Sequence, residues 1–276
     1  MPAMALEDTL TGPVFDRFRN LIYTKAGIAL GSTKKPLLVS RLAKRAKECG
    51  CQSFQEYYEI VVQGSGGEEF LNMLDCVTTN KTDFFREPVH FSFLRDVIRA
   101  SLDTDRRLSV WSAACSSGEE PYSIAMTIMD TIDQTNRCDW RILASDISSR
   151  VLAQAKTGRY EMDRVERLPS GALHRYFLKG SGSAKGTVKV KPTLAEHIAF
   201  RRINLMDEAY PIKTQLDVIF CRNVMIYFDR ATQESVLRKF FRYLKVGGYL
   251  FVGHSESLQW VPNPFTYVAP TIYRKG

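Results

Sequence analysis

The sequence lacks any run approaching the ~20 consecutive apolar residues that a membrane-spanning helix needs, so no direct membrane insertion is expected. Its first residues, MPAMALEDTLTGPVFDRF, carry acids early and have no apolar core of signal-peptide type, and a cytoplasmic protein is expected. Histidine is scarce, with four in the chain. The six cysteines (Cys49, Cys51, Cys76, Cys115, Cys138 and Cys221) are scattered, and Cys49 and Cys51 form C-x-C rather than C-x-x-C. That usage fits reduced thiols and gives no metal site. A G-x-G-x-x-G fingerprint is also missing, which disfavours a dinucleotide pyrophosphate as ligand.

What is present is ordinary globular composition: 276 residues, 45% hydrophobic and 25% charged, enough for one large domain or one domain with a smaller companion. The net charge of +8 raises the odds of an acidic partner, whether nucleic acid, anionic membrane or carboxylate-rich protein. Its placement says more. Residues 1–80 hold nine basic and nine acidic residues, yet all nine bases lie in 17–47, which has no acid. In PLLVSRLAKRAK (36–47) Leu38, Leu42 and Ala46 recur every four residues, as on a helix facing a core. Arg41, Lys44, Arg45 and Lys47 then cluster away from that stripe, either as a solvated face or as a dock for an acidic helix or phosphates. Gly50 is placed to end the helix.

Before about residue 105 the pattern is helical: 14–30, 36–48, a segment after a Ser53–Glu56 capping box, and one opening at EEFLNMLDCV after the GSGG break. After it, apolar β-branched runs at 108–115, 140–146, 197–205, 216–224 and 249–257 alternate with helical patterns. That is the signature of a mostly parallel sheet covered on both faces. Asp229 is a plausible N-cap for a helix over 230–244, with Gly247-Gly248 as its stop. Residues 168–196, with their V-K-V-K alternation and several glycines, break the rhythm and read as a small antiparallel excursion, either decorative or a docking edge for a peptide.

Open α/β sheets bind ligands beyond the carboxyl ends of their strands. After the first strand stands Ala113-Ala114-Cys115-Ser116-Ser117-Gly118-Glu119-Glu120. Its small residues let backbone approach a ligand, and its acids favour a cationic group over a phosphate, although acids also suit a helix N-terminus. After the second comes Asp146, placed to accept ribose hydroxyls. After the third come Asn204 and Leu205, and after the fourth Arg222, Asn223 and Tyr227. The set describes an adenosine site, and S-adenosylmethionine suits it better than NAD or ATP. Upstream, Asn80, Thr82 and Arg86 stand close enough together to point into one cleft, or to form a turn capped by Asp83.

The blocks NKTDFFRE (80–87), WSAACSSGEEPYSIAM (111–126), ASDIS (144–148), INL (203–205), FCRNVMIYFD (220–229) and GGYLFVGHSES (247–257) resemble those of the chemotaxis receptor methyltransferase (CheR) family. The resemblance spans nearly the whole chain. It implies an α/β fold: a Rossmann-like S-adenosylmethionine-dependent methyltransferase domain over 93–276 with an inserted antiparallel β-subdomain near 168–196. A small all-α domain over 1–75 would precede it, and a 76–92 linker would contribute to the cofactor site. It implies methyl transfer from S-adenosylmethionine, leaving S-adenosylhomocysteine, to glutamate side chains of membrane chemoreceptors. Asn80, Thr82, Arg86, Glu120, Asp146, Asn204, Leu205, Arg222 and Asn223 match the family's cofactor-binding positions, and Arg86 and Tyr227 match residues beside the transferred methyl. Cys115 and Ser117 stand where some members have Ala and Thr. Both are small, and a Cys115 nucleophile is not implied.

The resemblance gives the basic helix a partner, the acidic methylation helices of a receptor, with Arg41, Lys44, Arg45 and Lys47 as substrate-binding residues. It leaves a receptor C-terminal peptide as an optional ligand of the β-subdomain, and it implies a monomer recruited to receptor clusters at the inner face of the membrane. A nucleic-acid methyltransferase is the first rival. However, the chain has neither the N/D-P-P-Y/F motif of amino methylation nor a Pro-Cys nucleophile, since Phe220 precedes Cys221. A non-catalytic S-adenosylmethionine-binding regulator is the second.

Overall fold

Local signals set the N-terminal helices. The computed structural model describes residues 6–64, 67–78, 80–102, 107–132 and 139–276, so Cys138 lies outside the described residues. The chain divides into two compact units, Met1–Thr79 with Tyr227–Thr232, and Asn80–Ile226 with Gln233–Gly276. In the first, Thr11 caps α1 (Gly12–Ala26), and Gly27, at φ 71°, ends it. Helices α2 (Lys35–Glu48), α3 (Phe54–Gln63) and α4 (Glu68–Val77) follow. Leu38, Leu42 and Ala46 are buried, as their spacing predicts. Ser53 accepts from Glu56 N–H as an N-cap, but the Glu56 carboxylate turns to Gln52 N–H, so the box is displaced by one residue. Phe18 stacks on Tyr57 and meets Phe54 and Tyr58 edge-on. Burying each such ring stabilises the unit by about 1.5–3 kcal/mol.

The distant segment 227–232 joins this unit through backbone. Phe228 pairs with Ile28, and the Ala29 N–H donates to the Tyr227 carbonyl at 2.8 Å. The Tyr23 hydroxyl donates to Asp229 at 2.8 Å.

In the second unit α5 (Pro88–Leu102) leads to β1 (Leu108–Ser112), α6 (Glu119–Ile132), β2 (Trp140–Asp146) and α7 (Ser149–Thr157). An insertion follows: β3 (Arg159–Glu161), α8 (Ala172–Tyr176), β4 (Phe177–Lys179), β5 (Thr187–Val190) and α9 (Pro192–Ala195). The chain then returns as β6 (Ile198–Arg202), β7 (Leu216–Cys221), α10 (Arg230–Tyr243), β8 (Leu244–Val252), β9 (Thr266–Ala269) and β10 (Ile272–Arg274). The main sheet has seven strands in the order β6-β2-β1-β7-β8-β10-β9. Strands from β6 to β8 are parallel, and β10 and β9 antiparallel. From β1 the chain winds outward through β2 to β6, then starts again on the other side with β7, so β1 and β7 flank the switch point where such sheets bind ligands.

Three details differ from the sequence expectation. The small sheet, β3-β5-β4, is antiparallel, but its first strand at Arg159–Glu161 lies upstream of the 168–196 excursion. Helix α4 runs to Val77 and α5 starts at Pro88, so the irregular segment between them is shorter than 76–92. Gly247 and Gly248 lie inside β8 instead of ending α10. A Cβ on Gly248 would stand 3.0 Å from the Asp217 carbonyl, so this glycine serves the close approach of β7 and β8. Asp229 does cap α10, accepting from Thr232 N–H at 2.8 Å.

Candidate cofactor site

The loops at the carboxyl ends of β1, β2, β6 and β7 are tied into one constellation. Both Asp146 carboxylate oxygens accept backbone N–H groups, from Ser116 at 2.9 Å and Ser148 at 3.0 Å. Those two bonds fix the orientation of the side chain at the end of β2. The Ser116 hydroxyl donates to the Asn80 carbonyl at 3.2 Å, so Ser116 joins the Asn80 loop to Asp146. Ile203 N–H donates to the Asp146 carbonyl, which brings Asn204 and Leu205 alongside. Buried Lys239 holds that loop, its ammonium donating to the Leu205 and Asp207 carbonyls, and Asn204 Oδ1 accepts from Met206 N–H.

Around the β7 end the organising group is Arg222, whose side chain is 2% exposed. Its guanidinium pairs with Glu87 and Glu120, each at 3.0 Å, donates to the Arg86 carbonyl, and sits over the Phe91 ring. It is fully engaged, so what Arg222 offers a ligand is its backbone. Glu120 also accepts from the Ser112 hydroxyl at 2.6 Å, and burial raises its pKa against the pull of Arg222. At Glu87 burial likewise acts to raise the pKa, but Arg222 and the His254 N–H together hold it below its ordinary value. Buried Glu256 accepts from the backbone N–H groups of Gly253, Asn223 and Ile226. Two carboxylates, Glu87 and Glu120, thus flank one guanidinium, a balance that favours a cationic ligand. Asn80 and Thr82 make no side-chain hydrogen bond among the described residues, and Arg86 makes one, to the Lys81 carbonyl. These donors remain available to a ligand.

The backbone is strained at the same place. Phe85, Glu87, Ser116 and Asn223 all adopt positive φ, between 48° and 61°. Each costs on the order of 1–3 kcal/mol, and such residues cluster where geometry serves function. Gly118, at φ 99°, has no room for a side chain: a Cβ would stand 2.8 Å from Tyr160 Oη and 2.9 Å from Ala155 Cβ. Asp83 does not cap α5; its carboxylate meets Arg164 at 3.4 Å.

Glu87, His90 and His254 bring potential ligand atoms within 4.8 Å of one another. Arg222 already sits on the Glu87 oxygen that a cation would need. Cys115 is buried, and burial raises its thiol pKa well above the ordinary value, which leaves it a poor nucleophile. Sequence reasoning did not single out Glu87, Glu256 or Ser112. Glu87 and Glu256 lie inside the quoted NKTDFFRE and GGYLFVGHSES blocks, and Ser112 inside WSAACSSGEE.

The remaining expected residues belong to the first unit. Tyr227 is half-buried there, held by its carbonyl to Ala29. On α2, the Arg41 guanidinium donates to the Cys76, Val77 and Thr78 carbonyls at the end of α4. Arg45 pairs with Glu69, whose carboxylate also accepts from Tyr57. Lys47 meets Glu7 at 2.8 Å, and Lys44, 88% exposed, stands 3.9 Å from Glu48. Arg41 and Arg45 are thus engaged in holding the helices together, and Lys44 is the base that most faces solvent.

Residues 80–274 match the family model described as CheR methyltransferase, SAM binding domain, and residues 13–78 match CheR methyltransferase, all-alpha domain. The chain belongs to the CheR methyltransferase family. It is 41% identical over 259 residues to a chemotaxis protein methyltransferase of Escherichia coli, covering 94% of this chain and 89% of that one. It is 37% identical over 279 residues to one of Borreliella burgdorferi, covering 98% and 97%. As a CheR-family methyltransferase it carries the S-adenosylmethionine-binding domain around the constellation above. No helix among the described residues is long and apolar enough to cross a membrane.

Proposed function

We propose that this methyltransferase transfers the methyl group of S-adenosylmethionine to glutamate carboxylates of a methyl-accepting chemoreceptor, forming methyl esters for sensory adaptation. The observation that carries the reading is the carboxylate-rich constellation at the switch point, within the stretch matching the family's cofactor domain. It suits a ligand bearing an ammonium and a sulfonium. Asp146 would hold the ribose hydroxyls and the Asn204–Leu205 loop the base. Glu120 and the Asn80–Arg86 loop would hold the amino-acid end, with Arg222 and Asn223 contributing backbone. The bound cofactor supplies an electrophilic methyl group.

The protein has little proton chemistry to do. A glutamate with an ordinary pKa near ~4.3 is ionised at neutral pH, so no general base is required. Arg86, with donors to spare, orients the incoming carboxylate, and Tyr227 packs beside the transferred group. Too tight an Arg86–carboxylate pair would stabilise the ground state as well, so orientation is the useful contribution. The receptor docks through α2, chiefly by Lys44 and Lys47, since Arg41 and Arg45 have internal partners. A receptor C-terminal peptide adds to an edge of the small sheet. The protein works as a cytoplasmic monomer recruited to receptor clusters.

The test is transfer of tritiated methyl from S-adenosylmethionine to receptor-containing membranes. Base-labile label in the receptor is the expected result. Label in nucleic acid, or cofactor binding without transfer, would overturn the reading.

A further inference from the structure

Resting on that reading of the cofactor site, we infer that Arg164 is a positioning residue for cofactor binding, by which the inserted β-subdomain sets the shape of the cofactor loops. Arg164 lies in the short helical turn Met162–Val165 that follows β3, in a segment whose sequence has neither strand nor helix period. Its guanidinium reaches two separate parts of the constellation. On one side it donates to the Thr82 carbonyl and pairs with Asp83 at 3.4 Å, both in the irregular 80–87 loop. On the other it pairs at 2.6 Å with Glu119, the first residue of α6, whose carboxylate is 2% exposed.

These contacts matter because the loop has few other anchors. The Asn80 carbonyl is held by Ser116, Phe85 N–H by the Ser123 hydroxyl, and the Arg86 carbonyl by Arg222. The stretch between them, carrying Thr82, is tied by Arg164. Two residues of this loop, Phe85 and Glu87, adopt unfavourable positive φ, so its shape depends on outside contacts. Glu119 has one other side-chain partner, the Ser117 hydroxyl at 2.6 Å, and losing Arg164 would leave a buried carboxylate without its counter-charge. Adjacent residues of the insertion press on the same loops. The Tyr160 hydroxyl donates to the Ser117 carbonyl at 2.8 Å, and Phe84 packs edge-on against Tyr160 and Phe177. The insertion therefore braces the loops assigned to the cofactor site, and Arg164 is its charged link. A guanidinium is needed because its fork can serve a carbonyl and two carboxylates together, whereas an ammonium acts as a point charge.

The experiment is calorimetric titration of the full chain with S-adenosylhomocysteine, with steady-state methylation alongside, for wild type, Arg164→Ala, Arg164→Lys, Glu119→Gln and the Arg164→Ala/Glu119→Gln pair. For Arg164→Ala, affinity for S-adenosylhomocysteine falls about tenfold and KM for S-adenosylmethionine rises in step, while kcat changes less than about threefold. Arg164→Lys recovers part of the loss. The double variant binds no more weakly than the weaker single variant, because both changes break one link. Affinity within twofold of wild type for Arg164→Ala would overturn the proposal. So would additive losses, or a fall in kcat with KM unchanged. If wild type itself bound no S-adenosylhomocysteine, the underlying reading of the site would fail instead.

Discussion

Two arginines organise two carboxylate networks in this protein, a partly exposed one in the helical unit and a buried one in the methyltransferase unit. Arg45 lies between Glu69 and Glu48 in the helical unit, with the Tyr57 hydroxyl completing the Glu69 shell. Arg222 lies between Glu87 and Glu120 in the methyltransferase unit, with the Ser112 hydroxyl completing Glu120. The chemistry is nearly the same, but the backbone around it is not. Among the described residues of the helical unit, no residue other than glycine has positive φ, whereas Phe85, Glu87 and Asn223 adopt it in the loops that meet Arg222, and Ser116 adopts it beside Asp146. Relaxed helices hold the first network, as expected where its purpose is packing. Strained loops hold the second, which is tolerable where the geometry is selected for a ligand.

The most severe way to break this contrast is Arg222→Met. It leaves Glu87 and Glu120 buried without their shared cation, and removing one partner of such a pair costs about 3–5 kcal/mol. Urea denaturation should show a loss of that size, and calorimetry should find S-adenosylhomocysteine binding abolished. A variant that kept both would mean that Arg222 organises nothing. Arg45→Met is the matched change. Glu69 is 15% exposed and keeps its Tyr57 and Asn72 hydrogen bonds, so about 1–3 kcal/mol of stability should be lost. Affinity for S-adenosylhomocysteine should stay at the wild-type value. If it fell with stability, the two networks would not be separable into packing and ligand-binding roles.

The contrast also explains what could be read from the sequence. Leu38, Leu42 and Ala46 show a helix face because the helical period is local, and Asp146 is legible because a buried strand announces where it ends. The positive φ of Phe85 and Glu87 leaves no trace in composition, since neither residue favours that conformation. Glu87 and Arg222 stand 135 positions apart, and only the switch-point topology brings them together. The basic run of α2 shows the opposite failure. Its charges suggested one solvated or docking face, yet Arg41 and Arg45 find carbonyls and a carboxylate on α4, a helix whose packing against α2 the charge pattern does not reveal. Arg164 is not legible in the sequence, because its segment fits neither strand nor helix period.

A smaller effect comes from His90, wholly buried beside the Arg222 network. Its Nε2 is 2.7 Å from the Thr271 hydroxyl, while its Nδ1 has no hydrogen-bond partner and lies 3.5 Å from Glu87. Burial, with Arg222 and His254 adding to it against Glu87, lowers its pKa to about 4. In the unfolded chain the ordinary value is near ~6.5. Between these values the unfolded state binds the proton that the folded state refuses, so stability falls as pH drops from about 6.5 towards 4, by at most about 1.4 kcal/mol per pH unit. Urea midpoints at pH 7, 5.5 and 4.5 should show this slope in wild type and a flatter one in His90→Gln. Parallel slopes would move the acid sensitivity to the carboxylates.

The smallest expected effect on folding, and the sharpest test of the helical unit's surface, is Lys44→Glu. Lys44 is 88% exposed and meets Glu48 only at 3.9 Å, a separation at which an exposed pair contributes little. The denaturation midpoint should therefore stay in place, unlike in Arg45→Met one residue along. If α2 docks an acidic receptor helix, reversing this charge should slow receptor methylation several-fold at low ionic strength. The deficit should shrink as salt is raised, because screening weakens a surface attraction within about 8–10 Å at physiological salt. Affinity for S-adenosylhomocysteine should not change. A methylation rate equal to wild type at every salt concentration would leave α2 with no docking role: its bases would then serve packing, through Arg41 and Arg45, or solvation.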